Sequence, residues 1–295
     1  LINGGGYNTL SDSTFTAVNN AIYTVQLTGT LGNTLARDSF SHSNANGTAL
    51  RIESGSLNNT VSYSTIAAGS TAVSLVSAPN TILGSYISSL SGHGIVFGAS
   101  GALVSGTTIA VNSGSSYGLY LNSVSNTLFT GGKVLNPIGR GVFIDGGQLN
   151  ILSLSTITAG GPAAGDVGVY LNATSSNTLL TCYVSASTAV YITGSTGTVV
   201  TGSVLVATNT IGSAVALTGG SVNLTIATST LMTPSLGRGL ALNPDNKGVV
   251  SLGSVTISGS ARGLEISTQV TGSFSLAVDS ITFRTLASGA TAVHF

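Results

Sequence analysis

A short element recurs along the chain: Ala or Gly, then an apolar residue, any residue and a second apolar residue. It appears as "GLYL" at Gly118 and "GVFI" at Gly141, and there are twelve copies if "TVQL" at Thr24 is included. Because side chains alternate across a strand, Leu119 and Leu121 are expected to face one side and Tyr120 the other. No helical period of 3.6 residues accompanies the element, so the pattern predicts strands.

A second element lies between consecutive copies of the first. It begins "NTL" or a variant, as in "NTLSDSTF" at Asn8 and "NTLFTGGK" at Asn126, and its twelve copies are spaced by 20 to 27 residues. In the copy at Asn126, Leu128 is expected to fill the core. One unit cannot bury its apolar side alone, whereas stacked units can, with each strand pairing to its equivalent one coil along.

The repeat therefore predicts an all-β fold: a single-stranded parallel β-helix (β-solenoid) of about twelve coils, each with three short strands. The "G-I-x-L…N-T-I-x-x-S-x-I" form resembles the right-handed parallel β-helix repeat family of the pectate-lyase-like superfamily. The resemblance covers residues 1–295 as one domain. It implies the fold but not an activity, since that family includes polysaccharide lyases, tailspikes and adhesins.

Composition narrows the class of partner. Only 5% of residues are charged and the formal net charge is zero, which argues against a nucleic-acid partner, because phosphate binding needs a basic surface. No run of 18 apolar residues occurs, so no membrane insertion is expected. The chain starts and stops within the repeat, which favours a fragment of a longer solenoid that is prone to lateral self-association.

Two columns of equivalent positions are expected to be structural. The Asn that opens most coils is predicted to sit at a tight turn and to bond to its neighbours along the rod. This turn ladder comprises Asn8, Asn33, Asn59, Asn80, Asn126, Asn150 and Asn177. Five residues on lies a column of small residues, mostly Ser, in which Cys182 is expected to be an inert, half-buried thiol.

The third residue of the first element points outward and is aromatic in four consecutive coils. The resulting stripe consists of Val96, Tyr120, Phe143, Tyr170 and Tyr191. The small residue two places earlier, such as Gly118, is expected to leave the rings unobstructed. The stripe is either a packing ladder, a surface for another protein or for self-association, or a platform on which sugar rings stack.

Catalytic candidates are sparse. Of the eight acidic residues, Asp145 and Asp166 lie in adjacent coils, and with Arg140 they form the best catalytic set that the sequence offers. A catalytic pair would require the loop over residues 160–166 to fold back. The three His residues and single Cys form no ligand cluster, so no metal site and no cofactor are expected.

A column rich in Thr follows the opening Asn and is also expected to face outward: Thr9, Thr34, Thr60, Thr81, Thr127, Thr178, Thr198 and Thr225. Outward Thr arrays resemble those of ice-binding solenoids, but Leu103 and Ile151 interrupt this one.

We therefore predict a non-enzyme: a structural or adhesive segment of a secreted or cell-surface protein, with the aromatic stripe as a site for glycan or protein. The chain resembles repetitive β-helix surface proteins of bacteria in composition and repeat. A carbohydrate-active enzyme similar to polysaccharide lyases or glycoside hydrolases is one alternative. An ice-binding solenoid is the second.

Overall fold

The computed structural model describes residues 2–18, 21–160, 166–267, 274–284 and 286–294. Over these ranges the chain forms strands joined by turns, and the strands pair in parallel with their equivalents one coil away. The predicted all-β solenoid with three strands per coil is confirmed.

The first sheet has 13 strands in the described ranges and carries the "AxxL"-type element. Its strands are β1 (Ile2–Asn3), β4 (Tyr23–Thr28), β7 (Thr48–Ile52), β10 (Val73–Leu75), β13 (Ile95–Phe97), β16 (Tyr117–Asn122), β19 (Arg140–Asp145), β22 (Val167–Asn172), β25 (Thr188–Thr193), β28 (Ser213–Thr218), β31 (Arg238–Leu242), β34 (Arg262–Ile266) and β37 (Thr291–His294).

The second sheet has 12 strands in the described ranges and carries the "NTL"-type element. Its strands are β2 (Thr9–Ser11), β5 (Thr34–Ala36), β8 (Thr60–Ser62), β11 (Thr81–Leu83), β14 (Leu103–Ser105), β17 (Leu128–Thr130), β20 (Ile151–Ser153), β23 (Thr178–Leu180), β26 (Thr196–Thr201), β29 (Val222–Ala227), β32 (Lys247–Gly253) and β35 (Phe274–Val278).

The third sheet also has 12 strands in the described ranges. They are β3 (Thr14–Ala17), β6 (Ser39–His42), β9 (Thr65–Ala68), β12 (Tyr86–Ser89), β15 (Thr108–Val111), β18 (Lys133–Asn136), β21 (Thr156–Ala159), β24 (Tyr183–Ala186), β27 (Val204–Ala207), β30 (Thr230–Met232), β33 (Val255–Ser258) and β36 (Ile281–Arg284).

The core lies between the three sheets and is continuous along the rod. Alternating side chains fill it, so Leu119 and Leu121 are buried as predicted while Tyr120 between them faces out. Each inward residue stacks on its equivalent in the next coil, as Leu121 does on Ile144 of β19. The side chains on the outer faces of the sheets do not form the core, so they can contact a ligand or partner.

The coil at Asn126 is out of register with its predicted pattern. Leu103 pairs with Leu128, so Phe129 points into the core and Leu128 does not, contrary to the prediction. Asn126 is exposed, and the buried Thr127 takes its place in the column, donating its backbone N–H to Asn150 Oδ1 at 3.0 Å. The larger aromatic side chain sets the register, because burying it removes more apolar surface from water.

The remaining members of the asparagine ladder form hydrogen bonds along the rod in two runs. Asn33 Nδ2 donates to Asn59 Oδ1 at 3.1 Å, and Asn59 Nδ2 donates to Asn80 Oδ1 at 3.1 Å. Asn8 continues this run on one side. Asn150 and Asn177 form a second run, in which Asn150 N–H donates to Asn177 Oδ1 at 2.8 Å. The Thr column is less regular than expected, since Thr127 and Thr198 are buried rather than outward.

The glycine that opens the "GLYL" element has a different role from the one predicted. A Cβ on Gly118 would overlap Val134 Cγ1, and one on Gly141 would lie 2.6 Å from Ile157 Cγ2. Both positions therefore face the core, where the first strand of a coil turns away from the third sheet. The small residue makes room for a core side chain, and it does not clear the outer surface.

Candidate functional site

An aromatic cluster covers the outer face of the first sheet over four coils. Tyr120 pairs with Phe143, Phe143 with Tyr170 and Tyr170 with Tyr191 along strands β16, β19, β22 and β25. Val96 of β13 pairs with Tyr120 and flanks the cluster. The structure thus places the five predicted stripe residues in one column. We call the six rings of His93, Tyr117, Tyr120, Phe143, Tyr170 and Tyr191 the aromatic ridge.

The rings of the ridge pack on one another. Tyr120 and Phe143 stack with centroids 5.4 Å apart and an interplanar angle of 5°. Phe143 and Tyr170 lie 4.8 Å apart with a tilt of 31°. Tyr191 breaks the stack, since its ring stands at 84° to that of Tyr170 at 5.2 Å. All four side chains are half-buried, so part of each remains exposed to solvent.

Sequence reasoning missed two members of the ridge, His93 and Tyr117. Tyr117 contacts Phe143 at 4.8 Å between ring centroids and Tyr120 at 5.6 Å. His93 stacks on Tyr117 at 5.4 Å and 10°, and its Nδ1 accepts the Tyr117 backbone N–H at 3.1 Å. Because the chain bends at Gly118, Tyr117 and Tyr120 share the outer face although three positions separate them. A Tyr just before the small residue is the sequence signal for this second column.

Charged groups stand at both ends of β19 beside the rings. Arg140 Nη1 donates to the Tyr117 hydroxyl at 2.8 Å, and its guanidinium lies 5.5 Å from the centre of that ring. Asp145 Oδ1 accepts a hydrogen bond from Asn172 Nδ2 at 2.7 Å. The ridge therefore has a cation on one side and a carboxylate on the other, with phenol groups between them.

The hydroxyls of Tyr120 and Tyr170 stay protonated well above neutral pH. Burial, followed by the nearby Asp145 and Tyr117, raises the pKa of Tyr120. Burial also raises the pKa of Tyr170, with Tyr191 the next cause. Both hydroxyls can therefore donate hydrogen bonds at neutral pH. Burial lowers the pKa of His93, so that its ring is neutral there as well.

The structure does not bring Asp145 and Asp166 together. Asp145 pairs with Asn172, which is six residues beyond Asp166 along β22, so about 20 Å of extended strand separates the two positions. Glycosidase carboxylate pairs lie about 5–9.5 Å apart. Arg140 lies at the opposite end of β19 from Asp145. The loop proposed to fold back includes residues 161–165, which are outside the described residues.

A trough of about 210 Å³ follows the ridge at the point where the aromatic column ends. Ala216 and Ala241 take the places after Tyr191 in the column, and the loss of ring volume opens the surface. Tyr191 lines one side, and Arg238, Asn209 and Asn243 also line the trough.

A larger groove of about 460 Å³ lies on the third sheet and differs in chemistry. Tyr86, Leu90, Leu135 and Pro137 contribute to its lining, which is mainly apolar. Few polar groups converge there, whereas the ridge and trough combine rings with charged and amide groups. Within the described ranges, no cluster of His, Cys, Asp and Glu suited to a metal ion is present. The same part of the chain contains no apolar helix of a length that could span a membrane.

Several solved structures share this fold at low sequence identity. The Dettilon tailspike protein is 11% identical with a TM-score of 0.62 over 92% of this chain and 61% of its own. The catalytic domain of a GH87 alpha-1,3-glucanase is 13% identical with a TM-score of 0.53 over 98% of this chain and 64% of its own. This chain thus spans less than two thirds of either protein.

The periplasmic alginate epimerase AlgG is a third example, 11% identical with a TM-score of 0.51 over 92% of this chain and 77% of its own. At these identities the likeness establishes the fold. No curated protein matches the chain in sequence.

The prediction that the chain is not an enzyme is contradicted by this comparison, because the similar structures are mostly enzymes that act on carbohydrates. The prediction relied on the lack of a clustered carboxylate motif. On a solenoid, however, residues far apart in sequence meet on one face, as His93, Tyr117 and Arg140 do, so a missing linear motif does not exclude catalysis. The family itself is shown by sequence: residues 98–266 match the model described as a right handed beta helix region, and the chain belongs to this family.

Proposed function

We propose that the protein binds a carbohydrate polymer on the outer face of its first sheet, along the aromatic ridge and into the trough. The observation that carries the proposal is the arrangement of the ridge. Five aromatic side chains from consecutive coils and His93 form one surface, with Arg140 and Asp145 at its edges. Aromatic groups pack on the apolar faces of sugars, and phenol, guanidinium and carboxylate groups hydrogen-bond to hydroxyls.

The spacing of the coils supports a polymer rather than a single small ligand. Equivalent residues in parallel strands recur about every 4.8 Å, so the four-coil ridge spans about 15–20 Å. This length accommodates several sugar units in a row. The names of two similar structures state activities on polymers of sugars, and one of these proteins is described as periplasmic. We accordingly place this protein outside the cytoplasm, in a secreted or cell-surface setting.

Binding to a panel of immobilised polysaccharides tests the proposal. Tyr120→Ala and Tyr170→Ala should each weaken binding of the retained polysaccharide about tenfold, the effect of losing one aromatic contact worth about 1.4 kcal/mol. Tyr183→Ala is the matched control, because Tyr183 is an exposed tyrosine on the third sheet. Thermal unfolding of each variant reports whether the fold is intact. Failure of the folded wild-type protein to retain any polysaccharide would rule the proposal out.

Catalysis on the bound carbohydrate is a second candidate, favoured by the contact of Arg140 with Tyr117. Arg140 Nη1 holds the Tyr117 hydroxyl in place at 2.8 Å, and a positioned tyrosine hydroxyl is one of the groups that serve as a general acid or base. His93 stacks on the same ring. Incubating the retained polysaccharide with wild-type protein and with Tyr117→Phe, followed by analysis of chain length and sugar composition, tests this. Products formed equally by both proteins, or by neither, would exclude Tyr117 as the catalytic group.

A further inference from the structure

The trough beside Tyr191 has one charged residue in its lining, Arg238 of β31. Its guanidinium donates from Nη2 to the Ile211 backbone carbonyl at 3.1 Å and contacts Glu265 Oε1 from Nη1 at 3.5 Å. A guanidinium has five N–H donors, and these contacts use two of them. The Arg238 side chain is 35% exposed, so its guanidinium reaches the trough. The contacts with the Ile211 carbonyl and Glu265 hold it in position.

Glu265 is shared between two cations. Its carboxylate also pairs with Arg262 at 2.5 Å, and its side chain is only 10% exposed. Two guanidinium groups and one carboxylate leave a formal charge of +1 on this cluster. The shorter contact is with Arg262, so Glu265 neutralises that residue more strongly than it does Arg238. The excess positive charge therefore lies on the side of the trough.

Neutral polar groups complete the trough. Asn209 and Asn243 contribute amides, and Ser213, which pairs with Arg238 in the sheet, contributes a hydroxyl. Tyr191 supplies a ring that stands at 84° to the stack behind it. This set combines one aromatic wall, one cation and several neutral donors and acceptors in a space of about 210 Å³, which suits a single saccharide unit.

We propose that the trough is a subsite for a sugar that carries an oxyanion, with the sugar ring against Tyr191 and the carboxylate, sulfate or phosphate ester at Arg238. This inference rests on the proposed carbohydrate binding and adds a preference for charge. An arginine binds an oxyanion through charge-assisted hydrogen bonds, which are roughly twice as strong as neutral ones. The neutral amides and hydroxyl contact the sugar hydroxyl groups.

Calorimetric titration with four matched probes tests the subsite: glucose, glucuronate, glucose 6-sulfate and glucose 6-phosphate. At least one anionic probe should bind about tenfold more tightly than glucose, and the anion that does so identifies the source of the charge. Arg238→Gln should abolish this difference, and Arg238→Lys should retain part of it. Equal affinity for glucose and all three anions would overturn the proposal.

Arg262→Gln is the matched control, because Arg262 pairs with the same carboxylate but does not line the trough. The Arg262→Gln variant should keep the preference for the anionic probe over glucose. An equal loss of this preference in Arg262→Gln and Arg238→Gln would contradict a direct role for Arg238. If Arg238→Gln fails to fold, the salt dependence of binding to the wild-type protein tests the proposal instead. About 0.5 M NaCl should weaken binding of the anionic probe and leave binding of glucose unchanged. Polysaccharide retention without any preference for anions would refute this subsite alone, whereas no binding of any kind would refute the proposed function too.

Discussion

Tyr120 and Phe143 stack almost in parallel on the outside of two adjacent strands, while the next residues, Leu121 and Ile144, stack inside the core. One strand pair thus has an inner face that the fold requires and an outer face whose residues can vary. The outer rings are half-buried and pack on each other. Substitutions on the two faces should therefore separate stability from function.

Leu121→Asp should unfold the rod locally and lower the free energy of unfolding by more than about 4 kcal/mol, because the carboxylate would be buried in the hydrophobic core. Tyr120→Ser should cost about 1–2 kcal/mol, the value of lost ring contacts on an outer face. Thermal unfolding followed by circular dichroism compares the two. Similar losses in both variants would show that the assignment of inner and outer faces is incorrect.

The stability of the protein should depend on the protonation of His93. Burial lowers the pKa of this residue below its ordinary value of 6.5, so the unfolded chain takes up the proton first as the pH falls. The stabilising contribution is complete above pH 6.5 and is lost as the pH falls from 6.5 towards the lowered pKa. The melting temperature should therefore be lower at pH 5.5 than at pH 7.5.

His93→Gln is the control for this pH effect. Its melting temperature should change less between the two pH values than that of the wild-type protein, while the other two histidines are the same in both proteins. Protonation would also place a cation against the Tyr117 ring and remove the Nδ1 acceptor of its backbone N–H. An identical pH profile in the two proteins would exclude His93 as the source.

The sequence predicted the coils well because each one repeats the same inward alternation, and the stacking of coils follows from it. The register of the coil at Asn126 could not be predicted from the sequence. Its "NTL" letters match the repeat and point to Leu128 as the core residue, whereas Phe129, the residue after Leu128, is the one that is buried. The aromatic column was predictable from one repeated position. Tyr117, His93 and Arg238 were missed, although each directly precedes the glycine that opens the first element, because the bend at the coil corner, rather than strand alternation, brings this position to the outer face.

The asparagine ladder predicts a large effect at Asn59. Its Oδ1 accepts from both the backbone N–H and Nδ2 of Asn33, and its own amide donates to Asn80. Asn59→Ala would leave these buried groups without partners, at a cost of about 2–4 kcal/mol. Asn126→Gly is the control, because Asn126 is exposed with φ of 55° and glycine adopts this conformation freely. Equal melting temperatures for the two variants would count against a structural role for the ladder.

Cys182 occupies a column in which other coils have serine, and its contacts predict which replacements are tolerated. Its Sγ contacts the Leu180 carbonyl at 3.6 Å, where Ser203 Oγ donates to the Thr201 carbonyl at 3.0 Å and Ser229 Oγ to that of Ala227 at 2.7 Å. Cys182→Ser should therefore change the free energy of unfolding by less than about 1 kcal/mol. Cys182→Val should cost about 2 kcal/mol, because it removes the acceptor of the Ser155 backbone N–H.

Burial raises the pKa of the Cys182 thiol, so Ellman's reagent should label the native protein slowly and the unfolded protein at once. Rapid labelling in native buffer, or a serine variant as unstable as the valine variant, would show that the side chain is not held in this column.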